Sequence, residues 1–373
     1  MAKLQLRIGD LRKRKKMAQK ELADALGIAV QTVSKWENDV CMPDISMLPD
    51  IAAFFQVTVD ELLGLRPLPG EEYIPVKSGE KDYWDARLDY LKACRRSFWN
   101  EDYLQFLVDK VWKIKEPVRI LDCGCGFGYM GMLLLPLLPE GSSYTGIDFS
   151  ENMIEAARKA FRETSCQGTF ICDDFRTHPF CRQFDLVISQ AAMRHAGNAE
   201  EFLKKMISLT KSGGMVAVID VNREFESDGF YVDGMDYREL CDRNGFQKMW
   251  QKELLYQDRD YAVGMRLPVM MVKAGLLSVD VRMNDRVSFV YPEKEDYAET
   301  VDDLLTEKQW RKAASAEEEE QQIQGFLNHG MDRKDAEGYC RKQRKIQTFM
   351  EENRNDLRYL QFRGLLVSYG WKK

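Results

Sequence analysis

Asp122, Gly124, Gly126 and Gly128 stand at alternate positions directly after the short apolar run Val118-Arg119-Ile120-Leu121. Without a Cβ, a glycine lets the backbone turn sharply and lets a ligand lie against it. A helical pattern follows from Met130 to Leu138, so the stretch reads as strand, glycine turn and helix. The N–H groups that open such a helix have no partner within it and suit a polar ligand. Tyr144-Thr145-Gly146-Ile147 is a second short strand, ended by Asp148 and Phe149. Asp148 lies 20 residues beyond Gly128 (148 minus 128). Nucleotide-binding α/β folds set a carboxylate on ribose hydroxyls at that distance.

More chemistry-bearing residues close later strands. Gly168 to Cys172 leads into Asp173-Asp174-Phe175, and Phe184-Asp185-Leu186-Val187-Ile188 leads into Ser189 and Gln190, with Arg194 and His195 beyond. In open α/β sheets ligands sit outside the carboxyl ends of the strands, which gathers these residues into one crevice. His195 titrates in the range a general base needs, and a wall or helix-capping residue is the plainer reading. Cys123 and Cys125 alternate with the glycines. With three histidines in the chain and no second Cys/His pair at ligand spacing, they read as small buried turn residues, and no metal site is expected.

These residues need a framework to hold them. Arg119 to Cys123, Ser143 to Asp148, Gly168 to Cys172, Phe184 to Gln190 and Met215 to Asp220 read as five strands. Glu151 to Phe161 and Glu200 to Leu209 read as helices between them, the first capped by Ser150. The order D-x-G-x-G-x-G, with the acid before the glycines, resembles motif I of the class I S-adenosylmethionine (SAM) methyltransferases. Gly146-Ile147-Asp148-Phe149-Ser150 resembles the ribose-binding strand of that family, and Lys211-Ser212-Gly213-Gly214 resembles its turn before strand five, without the usual proline. The resemblance implies a Rossmann-like α/β sheet of seven strands, parallel except for an antiparallel last strand. It implies SAM as cofactor, bound by Asp122, Gly124, Cys125, Gly126, Gly128, Tyr129, Asp148, Phe149, Asp174, Phe175, Ser189 and Gln190. Asp174 is favoured over Asp173 for the adenine amino group, because Pro179-Phe180 stands at the family's spacing from it. The resemblance further implies a small-molecule methyl acceptor.

Two segments flank that core. Residues 80–115 read as two helices, and Trp99-Asn100 with Tyr103 resembles a stretch that closes over the cofactor in the group that includes trans-aconitate methyltransferase. Trp99 is then a candidate cover for the methionine end of SAM, and amphipathic packing is the plainer alternative. Ser278 to Tyr291 and Phe362 to Gly370 read as the closing strands six and seven. Between them, residues 296–358 read as a charged helical insert. Met331, Tyr339, Phe349, Met350, Tyr359 and Leu360 could roof the substrate pocket, and a dimerisation appendage is the other reading.

The chain begins with a different module. Arg12 to Lys16 and Lys20 make it basic, and two short amphipathic helices surround Gly27. Ala18 to Asn38 and Pro43 to Gly64 resemble the Xre/Cro-type helix-turn-helix family. That likeness implies DNA as partner: Gln31 and Lys35 at base edges with Val30 beside them, Gln19 and Thr32 at phosphates, and binding as a homodimer. Leu22, Ala25, Leu26, Val33, Trp36, Ile51 and Leu62 read as core. Pro67 and Pro69 mark a connector, which divides the chain into 1–66 for this all-α module, a 67–80 linker and 81–373 for the methyltransferase-like part.

The whole chain fits that plan. Its 373 residues suffice for two or three domains, and 45% hydrophobic with 31% charged residues is ordinary globular composition. A net charge of −6 argues against nucleic-acid binding by the whole surface and leaves room for one basic module. No apolar run reaches the length of a membrane span, and nine scattered cysteines fit a reducing compartment, so a cytoplasmic protein without a membrane partner is expected.

Overall fold

The computed structural model describes residues 6–38, 40–65, 68, 73, 81–164, 166–226, 229–241, 245–312 and 314–373. The expected connector lies outside them except for Leu68 and Tyr73. The N-terminal module packs α1 (Ile8–Arg14), α2 (Gln19–Leu26), α3 (Val30–Glu37), α4 (Leu48–Phe55) and α5 (Val59–Leu62) around a common core. Leu22, Val33, Trp36, Ile51 and Leu62 are buried there as expected, and Leu26 packs against them. Ala25 is exposed and Ala23 is buried in its place. Helical spacing explains the exchange: Ala23 follows Leu22 on the inner face, while Ala25 lies about 200° further round.

Before the first strand the chain forms α6 (Lys81–Asp85), α7 (Leu88–Arg96), α8 (Glu101–Phe106) and a π-helical turn over Leu107–Trp112. These are shorter and more numerous than two helices. The main sheet then builds from β1 (Arg119–Cys123), β2 (Ser143–Asp148), β3 (Gly168–Cys172), β4 (Phe184–Gln190) and β5 (Thr210–Asp220). Helices α9 (Tyr129–Leu134), α10 (Glu151–Arg162) and α11 (Ala199–Leu209) connect them. The Ser150 hydroxyl caps α10 by accepting the Met153 N–H at 3.2 Å. The expected turn at Lys211–Gly214 is absorbed into β5, where Gly213 N–H bonds to the Lys372 carbonyl and Lys372 N–H to the Gly214 carbonyl.

Further along come α12 (Arg223–Glu226), β6 (Phe230–Val232), α13 (Tyr237–Cys241), α14 (Phe246–Gln257) and α15 (Val263–Lys273). After them the chain forms β7 (Leu277–Met283), β8 (Val287–Val290), α16 (Tyr297–Lys308), α17 (Ala316–Asn328), α18 (Arg333–Glu352), β9 (Tyr359–Phe362) and β10 (Leu366–Trp371). The seven-stranded sheet has the order β3-β2-β1-β4-β5-β10-β7. β1 to β5 are parallel, and β10 runs antiparallel between β5 and β7. This is the expected Rossmann-like α/β architecture with its antiparallel last strand. Side chains alternate across it: Ile120 and Ile188 enter one apolar layer, Leu121 and Val187 the other.

The closing region departs from the expectation. Each of the two segments read as one strand is two, and β8 and β9 join β6 in a separate sheet of order β6-β9-β8. Asn284 sits where the chain changes sheets. Its side chain accepts the Leu365 N–H at 3.0 Å and donates to the Phe98 carbonyl at 2.5 Å, and Gly364 takes φ +62° beside it. The helices α16 to α18 occupy the region of the expected insert. Met331 and Tyr339 pack within one apolar cluster there, and Phe349, Met350 and Tyr359 within another, while Leu360 lies in β9. None of the six lines the cavity described next; the first five form the interior of this added layer.

Candidate functional site

A cavity of about 340 Å³ opens at the carboxyl ends of β1, β2 and β4. Its floor is the glycine turn. Gly124, Gly126 and Gly128 take φ of +74°, +52° and +78°, which glycine alone adopts cheaply. Their jobs differ. A Cβ on Gly124 would meet the Cβ of Ala192 at 2.6 Å, and one on Gly128 would meet the Phe161 ring at 2.9 Å. A Cβ on Gly126 would meet nothing within 4 Å and would enter the open cavity. Gly128 does not line the cavity; it closes the turn by bonding to the Cys125 carbonyl and starts α9.

Two carboxylates govern the turn. Asp148 accepts the N–H of Gly126 at 2.9 Å and of Ser150 at 3.0 Å, while burial raises its pKa. Asp122 is 1% exposed, and one of its oxygens accepts the Tyr144 hydroxyl at 2.7 Å. Its Oδ1 has no hydrogen-bond partner, and burial pushes the carboxyl up to about 7. Across the cavity the Gln190 Nε2 also lacks a partner. An unpaired acceptor and an unpaired donor in one crevice call for a ligand carrying both kinds of group.

The adenine-side residues are also present. Asp174 and Phe175 line the cavity, with Phe149 beside Asp148. Burial pushes the Asp174 carboxyl up, but its hydrogen bonds with Arg176 outweigh this and hold it low. Asp173 lines the same wall and is held low by its hydrogen bond with His178, at 2.8 Å. Cys125 and Tyr129 line the cavity too, and burial pushes the Tyr129 hydroxyl up to about 12.

Besides Gly128, two expected cofactor residues lie elsewhere. The Ser189 hydroxyl donates to the Cys123 carbonyl at 2.8 Å and ties β4 to β1. Trp99 is buried in the apolar layer behind the turn, stacked with Tyr103 at 6.4 Å, and Tyr103 donates to the Met283 carbonyl. The aromatic wall comes instead from Tyr83, Trp84 and Tyr90 on α6 and α7, together with Arg87 and Arg95. Spacing along a helix gives a face but not which cavity that face meets, so these residues carried no separate signal.

His195 lines the cavity between two guanidinium groups. Its Nε2 lies 3.1 Å from the Arg194 Nε and its Nδ1 3.1 Å from an Arg259 nitrogen. Arg194 is paired with buried Asp220 at 3.0 Å, and Arg259 with buried Glu253 at 3.1 Å. Burial, reinforced by these positive charges, lowers the His195 pKa well below the ordinary value and keeps the ring neutral. With both nitrogens against N–H donors, the ring has no spare lone pair for an acceptor's proton in this arrangement.

In the N-terminal module, Gln31 and Lys35 are exposed one turn apart on α3, with Val30 and Thr32 half-buried beside them. The Gln19 amide donates inward to Glu37 at 2.8 Å, and Arg12 forks onto the same carboxylate at 2.5 and 3.0 Å. These hydrogen bonds hold the Glu37 carboxyl below its usual range and join α1, α2 and α3.

Comparisons with known proteins identify two domains. Residues 120–214 match the profile of a methyltransferase domain, and residues 8–62 match that of a helix-turn-helix. The chain is similar to the malonyl-[acyl-carrier protein] O-methyltransferase of Acetivibrio thermocellus, at 36% identity over 28% of this chain and 35% of that protein. It is similar to the ubiquinone biosynthesis O-methyltransferase of Rhodopseudomonas palustris, at 26% identity over 40% of this chain and 56% of that protein. The chain thus spans between about a third and just over half of these relatives. Among solved structures it resembles phosphoethanolamine N-methyltransferase 2 of Haemonchus contortus in complex with phosphomonomethylethanolamine and S-adenosylhomocysteine. That likeness has 15% identity, covers 73% of this chain and 53% of the other, and gives a TM-score of 0.39.

Proposed function

With residues 120–214 forming a class I methyltransferase domain and residues 8–62 a helix-turn-helix domain, we propose that the chain transfers a methyl group from SAM to a small molecule and binds DNA through its N-terminal module. The observation that carries the reading is the glycine turn gripped by Asp148, open over Gly126, with Asp122, Asp174 and Gln190 lining the same crevice. SAM fits these residues: its ammonium suits Asp122, its ribose Asp148, its adenine Asp174 and Phe175, and the backbone beside Gly126 leaves it room. When bound, SAM supplies an electrophilic methyl on a sulfonium.

The chain's own contribution is then alignment and exclusion of water. Displacement needs the acceptor atom in line with the breaking bond, and Tyr83, Trp84 and Tyr90 give the same cavity an aromatic wall that would bound it. We assign His195 to the wall of that space and not to proton transfer, because both its nitrogens are engaged.

The DNA-binding part of the proposal rests on exposed Gln31 and Lys35 above a closed core, and it would couple the methyltransferase part to transcription. The engaged His195 also favours a second reading, in which the domain senses SAM without turnover. Purified full-length protein decides between them. S-adenosylhomocysteine (SAH) should bind by calorimetry, and label from methyl-tritiated SAM should pass to a component of a metabolite extract. Absence of SAH binding would overturn the SAM reading. SAH binding with no label transferred, alongside selective binding to its own promoter, would establish the sensor.

A further inference from the structure

Six arginines line the cavity. Arg176, Arg194 and Arg363 each meet a carboxylate: Asp174 at 2.8 Å, Asp220 at 3.0 Å, and Glu307. Arg223 also has a partner within the protein. Arg87 and Arg95 meet none among the described residues. The Arg87 guanidinium lies over the Tyr83 ring, 4.1 Å from its centre, and the Arg95 guanidinium over Phe98 at 4.5 Å. Both arginines are half-buried. Stacking on a ring fixes the plane of a guanidinium and leaves its edge N–H groups free to fork onto an oxyanion.

The two arginines are eight residues apart on α7 and its N-terminal cap, which sets their backbones about 12 Å apart along the helix. They rest on different rings, so a single carboxylate does not serve both. The charge of Arg95 is felt at Asp122, Tyr129 and His195, which places it beside the glycine turn. SAM has one carboxylate, and overall it carries one more positive charge than negative. With Asp122 on the ammonium of SAM and one stacked arginine on its carboxylate, the other stacked arginine is left without an anionic partner unless the acceptor itself brings one.

We propose that the methyl acceptor is an anionic small molecule whose oxyanion group is held by Arg87, while Arg95 takes the carboxylate of SAM. This inference rests on the SAM reading above. It agrees with the engaged state of His195 when the oxyanion is itself the nucleophile: its oxygen bonds to the methyl carbon, the methyl–sulfur bond of SAM breaks, SAH leaves, and no proton has to be removed. The paired arginines are excluded from the role because their charge is already met within the protein.

The test uses full-length protein saturated with SAH at constant ionic strength. The probes are malonate, inorganic phosphate and neutral malonamide, read by thermal shift and calorimetry. One or both anions should raise the melting temperature while malonamide does not, and comparing malonate with phosphate separates carboxylate from phosphate acceptors. Arg87→Gln should weaken the response to the anions by about tenfold or more and leave SAH affinity unchanged, with Arg87→Lys intermediate. Arg95→Gln should weaken SAH by about tenfold and, once saturated, keep the anion response. Equal anion responses in wild type and Arg87→Gln would overturn the inference, as would an equal response to malonamide. SAH binding with no anion response would overturn it while leaving the SAM reading intact; no SAH binding would remove both.

Discussion

A single hydrogen separates the roles of the three glycines in the turn. At Gly126 a side chain has space, but the space is the cavity itself. Gly126→Val should therefore fold, at a cost of about 1–2 kcal/mol for a side chain at positive φ, and should give no measurable heat with SAH. Gly124→Ala adds a contact of 2.6 Å with Ala192 to the same strain, and should cost about 2–4 kcal/mol. Thermal melts beside SAH titrations check the contrast, and full SAH affinity in Gly126→Val would refute the placement of the cofactor. Asp122 adds a pH dependence. Its carboxyl is raised to about 7 by burial, so below that pH the folded protein holds a proton that the unfolded chain has released. The stability of the protein without SAH then falls as pH rises from the ordinary carboxylate range to about 7, and levels off above. SAH affinity runs the other way: the ammonium favours the ionised carboxylate, so affinity should rise up to about tenfold per pH unit on approaching 7 and flatten beyond. Asp122→Asn should abolish that slope in calorimetry across the same range. Asp122, Gly126 and Asp148 were legible in the sequence because backbone geometry fixes where each must stand. Arg87 and Arg95 were not, because nothing local tells a helix which neighbour its face will meet.

The inner parallel strands β1, β2 and β4 were read close to their observed positions because strands buried on both faces are apolar runs bounded by turns, and the edge strand β3 was bounded by Gly168 and Asp173. The closing strands were misread for a physical reason. Alternation marks a strand but not the sheet it joins, so β7 with β8, and β9 with β10, each looked like one element. The break between them depends on Asn284, whose side chain bridges Leu365 and Phe98. Asn284→Ala would leave a buried N–H and a buried carbonyl unpaired, which should cost about 2–4 kcal/mol. A fall in melting temperature with SAH affinity kept within twofold of wild type is the expected result; a neutral effect would show that the sheet exchange is held by the glycine conformation at Gly364 and not by this side chain. The helices α16 to α18 were legible as helices, yet their apolar residues turn inward on one another and not over the cavity. The added layer bears on the site indirectly, since α16 packs on α7 and the Arg363–Glu307 pair is buried beside the cavity wall.

The whole chain joins two units that bury separate cores, one of helices alone and one built on the sheet. A basic module within a chain of net charge −6 concentrates attraction for phosphates at one end, which favours a defined docking site over diffuse adhesion. Docking alone carries no sequence information; base edges must be read by side chains projecting from the groove-facing helix. On α3 only Gln31 and Lys35 combine full exposure, long polar side chains and the one-turn spacing that puts both on one face. Gln19 is spoken for by Glu37, so its removal would loosen the joint of three helices and not a phosphate contact alone. The double variant Gln31→Ala with Lys35→Ala should therefore lose discrimination among operator sequences by about 1–3 kcal/mol for each base contact removed, while residual salt-dependent binding persists through Lys13 to Lys16. SAH affinity in the same protein should stay within twofold, because none of the substituted atoms belongs to the sheet or its cavity. Competition binding with promoter and scrambled duplexes measures the first effect and calorimetry the second. Retained selectivity in the variant would move base reading away from α3, and a concurrent loss of SAH binding would show that the two units fold as one.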